Sequence, residues 1–510
     1  MTDSATLSRT QLLSGLCVAV AALVGFVIAD PLRYSSLMVL GGLAGLMLWP
    51  FVVKWHRILL VATVHSAFVM GYLPGDLPMW CGFAAVGFFI VILQRCLSRD
   101  VTLVHPGGVG WALIALVAVV ILTAWYRGGV GLKSIGSESY GGKKYVLLLL
   151  GVASYFVLSA HPIPRRRVWL YLAMFFLSSL TGLLSHAIFM AGSKFYWMFK
   201  FISVDAAYSQ AQFQWQIAGD NVFRSLAFSE AAGGIIGFVL AFKGLRGILN
   251  IRQPWYLLLV LVCLAVGTIG GFRSFLMGML VIGGTIFLLE GLHKTRLILL
   301  VLAIFALISV GLVAYSDKLP ISVQRSLTFL PLKLDAWVRQ EAQGSLDWRI
   351  EMWDYLNKEV PANLVVGKGY AIDPDAMRMS MFNSSYDYGP KSEWAMLTGE
   401  YHNGPLSVVI PFGIWGVVAF LWFLTAGAMR LHWHYRNCDP DMVTINRVLF
   451  ALFLARIAFF IFLIGSLYSG LVEFAFLAGL GEALNMRKPA AQESTEQTAE
   501  SPELVESETL

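Results

Sequence analysis

The stretch GEYHNGPLSVVIPFGIWG, residues 399–416, sets an imidazole and a carboxamide, His402 and Asn403, at the threshold of an apolar run. An imidazole titrates near neutrality and can take a proton from a hydroxyl. A span needs no such residues merely to enter a bilayer. Arg273 is a second unusual residue, set in TIGGFRSF (268–275) at a break between two apolar runs. An arginine at a bilayer boundary is costly unless it snorkels or meets an anion. The paired glycines before it leave room for close approach to the backbone. Arg127 stands at the lip of a Gly- and Ser-rich segment, 127–144, whose far end is the pair Lys143–Lys144, and Arg224 closes an aromatic-rich segment, 192–224. Arg349 precedes Trp353 by four residues in SLDWRIEMWDYLNKEVP, 345–361, which puts the two on neighbouring surface of one helix. A guanidinium stays charged and grips oxyanions with a planar fork. The set therefore combines one proton acceptor with several anion-gripping cations.

These residues are carried by a membrane-buried chain. Its 510 residues are 57% hydrophobic and 13% charged, with mean hydropathy +0.70, far above soluble norms. About fourteen apolar runs are long enough to cross roughly 30 Å of hydrocarbon: 11–28, 35–53, 57–72, 79–95, 109–125, 145–160, 168–191, 225–242, 255–271, 274–290, 296–315, 404–428, 447–465 and 470–485. Residues 1–28 read as a retained first span. The expected fold class is an all-α polytopic membrane protein. Residues 1–315 hold spans one to eleven, with exterior loops 127–144 and 192–224. Residues 316–403 form a mostly helical exterior cap, 404–486 hold spans twelve to fourteen, and 487–510, acidic and of low complexity, form a disordered cytoplasmic tail.

With both termini in the cytoplasm, alternate turns sort Lys and Arg by the positive-inside rule: Lys54 and Arg57, Arg95 and Arg99, Arg165 to Arg167, Lys243, Arg246 and Arg252, Lys294 and Arg296. The net charge of +6 is thus mostly topology, and no nucleic-acid partner is implied. Segment 192–224 reads as amphipathic and interfacial. In the cap, Ser345 is expected to open a helix that Pro361 stops. The five cysteines lie scattered, without disulfide or metal spacing.

Each residue also has a structural reading. His402 could serve as an interfacial helix-starting residue, Arg273 could snorkel to lipid phosphate, and Arg349 could pair with an acid in the cap. His65 and His186 suit packing. Arg456, inside span 447–465, requires a partner, and Glu473 or Glu230 could supply it. The triplets Asp373–Asp375 and Asp439–Asp441 read as turns before they read as cation sites.

The motif order resembles the O-antigen ligase and O-antigen polymerase superfamily of bacterial inner-membrane proteins. The resemblance rests on GGFRS opening a span, then Arg349-x-x-x-Trp353, Gly367-x-Gly369, His402-Asn403-x-x-Leu406 and Pro411-x-Gly413-x-x-Gly416, and is strongest over about 220–425. It implies a GT-C-like architecture. It also implies inverting, metal-independent glycosyl transfer at the periplasmic face, from an undecaprenyl-diphosphate-linked glycan to an acceptor hydroxyl. The acceptor would be a lipid A–core sugar or a growing polysaccharide, with membrane lipid and polysaccharide-assembly proteins as partners and no cofactor. His402 and Arg273 are expected to be catalytic, and Arg224, Arg349, Arg127, Asn403 and Trp353 to bind substrate. A transporter or flippase of polar solutes is the competing class, against which stands the lack of repeated halves.

Overall fold

The computed structural model describes residues 14–15, 17–22, 25, 34–71, 73, 75–97, 108–131, 140–205, 208–209, 224–334, 336–385 and 393–486. The expected tail and parts of the first span and of loops 127–144 and 192–224 lie outside these residues. Among them, ten helical segments are long and apolar enough to cross a membrane, and two shorter apolar helices join them. The protein is a multi-pass, all-α membrane protein.

In chain order, α1 is Tyr34–Thr63, followed by a two-stranded hairpin, β1 (Val69–Met70) and β2 (Leu77–Pro78). Then come α2 (Met79–Leu97), α3 (Val109–Tyr126), α4 (Gly142–Ser159), α5 (Val168–Leu177) and α6 (Leu183–Ala191). Helices α7 (Leu226–Ile248), α8 (Pro254–Ile269), α9 (Arg273–Leu289) and α10 (Leu297–Tyr315) lead to the cap. The cap holds α11 (Ile321–Ser326), α12 (Ala336–Asn363), α13 (Pro374–Ser385) and α14 (Glu393–Thr398). Three long helices close the chain: α15 (Gly404–Asn437), α16 (Val443–Phe462) and α17 (Leu467–Asn485).

The core sits where α4 and α17 meet. Gly151 faces Val472 and Gly479 faces Tyr155, so closely that an added Cβ would lie 3.1 and 3.2 Å from them. Between apolar helices, small residues permit this approach and so maximise van der Waals contact.

The described helices depart from the expected fourteen spans where two expected spans are one helix. Residues 35–53 and 57–72 are predicted as separate spans, yet Tyr34–Thr63 is one helix with Pro50 inside it. Nothing in Lys54–Arg57 breaks a helix, and the Arg57 guanidinium donates to the carbonyl of Leu158 at 2.9 Å and to that of His161. The predicted first span, 11–28, is described only in part. In the cap, α12 begins at Ala336 rather than after Ser345, because 336–343 are mostly good helix formers. It also runs past Pro361, which sits in the last turn and removes only one hydrogen bond. Ser193–Lys200 forms a short 3-10 helix with Phe195, Tyr196 and Trp197 exposed.

Two helices are bent, and both bends are used. In α7, Gly244 has φ 65°, which frees the N–H groups of Leu245 and Arg246 to donate to Glu290 at 3.0 and 2.7 Å. In α15, Gly413 has φ 62° and follows Pro411 by two residues. That second bend positions the site.

Candidate active site

The bend in α15 leaves carbonyls without helical partners, and the cap fills them. Lys368 N–H donates to Ile410 O and Gly369 N–H to Pro411 O, both at 2.9 Å, while Ile414 N–H donates to Leu364 O at 2.7 Å. Gly367 is required at this contact, since a Cβ there would lie 2.0 Å from Pro411 O. The two glycine motifs, Gly367-x-Gly369 and Pro411-x-Gly413, are thus the two halves of one joint. Arg127 locks it from α3: Nε donates to Gly367 O at 2.8 Å and Nη2 to Val366 O at 2.9 Å. The first loop is sewn on beside it, with Tyr140 and Ile372 exchanging backbone hydrogen bonds at 2.9 and 2.8 Å.

A few residues upstream, the polar knot is a helix start under tension. Asn403 is the N-cap of α15, its Oδ1 accepting the Leu406 N–H at 3.0 Å, and Pro405 occupies the first turn, where no N–H is needed. Gly404 lies against the end of α16, where a Cβ would meet Phe460 O at 2.1 Å. These constraints force His402 into left-handed backbone, φ 49°, a conformation that only one other described non-glycine residue, Asp76, shares in sign. Such strain costs about 1–3 kcal/mol and persists only where the surroundings over-determine it. Its neighbour Tyr401 is buried, and the Trp353 indole N–H donates to Tyr401 O at 2.8 Å. The half-buried His402 ring faces Trp348 at 5.7 Å.

Arg349 acts on this imidazole, and the charges of Arg273 and Arg224 act on Arg349. Arg273 is the first residue of α9. Arg224, just before α7, lays its guanidinium over the Phe272 ring at 5.4 Å. Arg349 comes from α12, and burial followed by the nearby Arg273 and Arg224 charges lowers its proton affinity. Arg349 Nε is buried without a hydrogen-bond partner. Neither Arg273 nor Arg349 has a carboxylate partner among the described residues. His402 is held below the usual histidine range, first by burial and then by Arg349, with Glu400 pulling the other way. It is therefore neutral at pH 7 and able to accept a proton. Like charges near one another, as Arg273 and Arg349 are, raise each other's energy, and an anionic ligand would relieve them.

Two cavities lie nearby, and neither has Arg224, Arg273 or Arg349 in its wall. One of about 530 Å³ has Phe272 and Ser274, the neighbours of Arg273, in its wall, and runs on to His65, Glu230, Arg456 and Glu473. A second, of about 240 Å³, is lined by His402, Glu400, Tyr468, Arg456 and Glu473. The two share Arg456, Phe459 and Glu473. Arg456 is ion-paired with Glu473 and acted on by Glu230, so both partners expected for it are engaged. His65 packs edge-on to Phe175 at 4.8 Å.

The expected site residues thus divide. His402 feels the charge of Arg349, and Arg349 those of Arg273 and Arg224, residues of four separated segments. Arg127, Asn403 and Trp353, expected against substrate, make the contacts just described with the protein's own backbone. Sequence reasoning missed a network beside His402. Glu400 takes an ion pair from Lys144 at 3.1 Å and a hydrogen bond from Tyr468 Oη at 2.6 Å. Lys368 pairs with Glu359 at 2.8 Å under the Tyr401 ring. The partners of Glu400 lie far from it in sequence, and no local pattern marks them. In the acidic triplets, Asp373 Oδ1 caps the N–H of Asp375 at 2.9 Å, Asp375 pairs with Arg378, and Asp439 pairs with Arg165.

Residues 258–421 match the family described as O-antigen ligase. The matched segment runs from α8 to α15 and contains Arg273, Arg349 and His402, while Arg224 lies before it. No curated protein matches the chain.

Proposed function

We propose, from the match of residues 258–421 to the family described as O-antigen ligase, that the chain is a member of the O-antigen ligase and polymerase superfamily and a glycosyltransferase acting on a lipid-linked glycan. The donor is a glycan on undecaprenyl diphosphate, and the acceptor is a hydroxyl of a lipid A–core sugar or of a growing polysaccharide. The reaction takes place at the periplasmic face of the bacterial inner membrane, over which residues 316–403 form the cap.

What supports this reading is that the Arg224 and Arg273 charges act on Arg349 and that Arg349, in turn, acts on His402 and holds its proton affinity down. The acceptor O–H gives its proton to the imidazole as its oxygen bonds to the anomeric carbon. The bond from that carbon to the diphosphate oxygen breaks, and its electron pair leaves with the diphosphate. Charge grows on the departing group, and fixed guanidiniums aimed at it stabilise the transition state more than the ground state. They supply the positive charge that a divalent ion would otherwise bring. Attack opposite the leaving group inverts the anomeric centre. The strained His402 backbone and the joint of Gly367 with Pro411 fix the base relative to the cations.

The test is reconstitution of the full chain with undecaprenyl-diphosphate-linked glycan and candidate acceptors. Free undecaprenyl diphosphate and a glycosylated acceptor of inverted configuration support the proposal. A retained configuration, or carrier release without transfer to any acceptor offered, contradicts it.

A further inference from the structure

We infer that Asp205 is a positioning residue: its carboxylate holds the segments that carry Arg224 and Arg273 against each other, and so sets where those two cations stand. The role rests on the glycosyltransferase reading for what the cations do, and it falls to a residue outside the matched segment 258–421.

Asp205 is itself fixed on two sides. The backbone from Lys200 to Ser203 is stitched to the chain that follows α1. The N–H groups of Val69 and Gly71 donate to Phe201 O and Lys200 O at 2.9 and 3.0 Å, and Ser203 N–H donates to Ala67 O at 2.7 Å. Two residues on, Asp205 N–H donates to Ser185 Oγ of α6 at 2.9 Å.

From there the carboxylate reaches the start of α7. Oδ2 accepts the Ser225 hydroxyl at 2.7 Å and the Ala227 N–H at 3.1 Å, while Oδ1 accepts the Tyr208 N–H at 3.2 Å. Ser225 stands at the N-cap of α7 but makes no capping bond with its own side chain. A serine there ordinarily accepts an N–H from the first turn. Here it donates instead, and a carboxylate 20 positions upstream takes the N–H in its place. Negative charge suits a helix start, and hydrogen bonds to an ionised acceptor are the stronger kind.

The buried Ser225 passes the hold to the next segment. Its N–H donates to Gly270 O at 3.2 Å, and a Cβ on Gly270 would lie 2.7 Å from Ser225 O. Ser229, one turn along α7, donates to Gly267 O at 2.8 Å. Gly270 and Gly271 lead into Phe272 and Arg273, and the guanidinium of Arg224, the residue before Ser225, lies over the Phe272 ring at 5.4 Å. Asp205, Ser225 and the Gly270 turn are thus one chain of contacts, with Arg224 and Arg273 attached to it. A misplacement of about 1 Å among such groups costs on the order of 100-fold in rate. Without the carboxylate, the Ser225 hydroxyl is free to turn and cap α7 itself, so the helix survives while the arginines shift.

The experiment labels the full chain in nanodiscs with phenylglyoxal, which attacks guanidinium groups, and reads each arginine by mass spectrometry. In Asp205→Ala the modification rates of Arg224 and Arg273 should rise together about fivefold, with that of Arg127, bound at the joint of the cap, unchanged. Asp205→Asn keeps one accepting oxygen and should give smaller rises at the same two residues; it serves if the alanine variant folds poorly. In transfer assays with carrier-linked glycan, Asp205→Ala should lower kcat/KM about tenfold or more. The further loss should be far smaller when Arg224 is already alanine, because the two changes act through one contact; a merely structural Asp205 costs the same in both backgrounds. Unchanged labelling of Arg224 and Arg273, an equal rise at Arg127, or equal losses with and without Arg224 overturns the inference. Failure of wild type to transfer any glycan counts instead against the glycosyltransferase reading, and the labelling rates still decide what Asp205 holds.

Discussion

Replacing Arg349 by glutamine separates the two jobs assigned to that residue. Glutamine keeps the side-chain bulk and is a good helix former in α12, but it carries no charge. Because Arg349 Nε is buried without a partner, the change leaves no charged group stranded, and the melting temperature should hold or rise. A charge-assisted hydrogen bond is worth about 1.5–3 kcal/mol, so losing one to the departing diphosphate should lower kcat/KM about 10- to 150-fold. A second effect appears in the pH profile. Arg349 pushes the His402 proton affinity down, so removing it moves that affinity up. Activity needs the neutral imidazole: it is present above the His402 pKa and lost as pH falls through it. The acid limb of kcat/KM should therefore move to higher pH in Arg349→Gln, while the deficit on the plateau reports the lost phosphate contact alone. A limb that stays in place or moves to lower pH, or a plateau within about twofold of wild type, would refute the reasoning.

Other perturbations test neighbouring parts. Glu400→Gln removes a group that raises the His402 proton affinity and leaves Lys144 without its counter-charge, so the acid limb should move to lower pH, read from the same profile. Asn403→Ala deletes the cap of α15 and should cost about 1 kcal/mol, measured as a fall in melting temperature, while Asn403→Asp should keep most of the stability. Gly367→Ala drives a Cβ to 2.0 Å from Pro411 O. Neither backbone can yield cheaply, so the variant should lose more than about 3 kcal/mol and show weak expression and early unfolding.

Much of the architecture was legible from apolar runs alone, because a bilayer demands long helices. The run at 79–95 is α2, that at 109–125 is α3, and that at 145–160 is α4, with ends shifted by a few residues. What the runs concealed was where polar residues fail to end a helix. Lys54–Arg57 looks like a turn, but Arg57 satisfies itself on carbonyls of another helix. Ser345 and Pro361 look like helix ends, yet Ala336–Asn363 continues through both, since single-residue preferences are small against a run of helix formers.

The candidate site was legible as a set of residue types and motif order, and Arg273, Arg349 and His402 were found that way. Their supports were not. Nothing local ties Lys144 to Glu400, 256 positions on, or sets Arg127 on the carbonyls of Val366 and Gly367. Asn403 and Trp353 stand in the motifs, but a motif does not reveal that Asn403 accepts the Leu406 N–H or that Trp353 donates to Tyr401 O.

The central claim is that arginines cradle the departing diphosphate while His402 takes the acceptor's proton. Glycan transfer by the purified full chain in EDTA, compared with His402→Ala and Arg273→Ala at matched expression and melting temperature, measures it most directly. Product from wild type and its loss in both variants is the predicted result. Transfer that persists in either variant, or that starts only on adding a divalent ion, would contradict it.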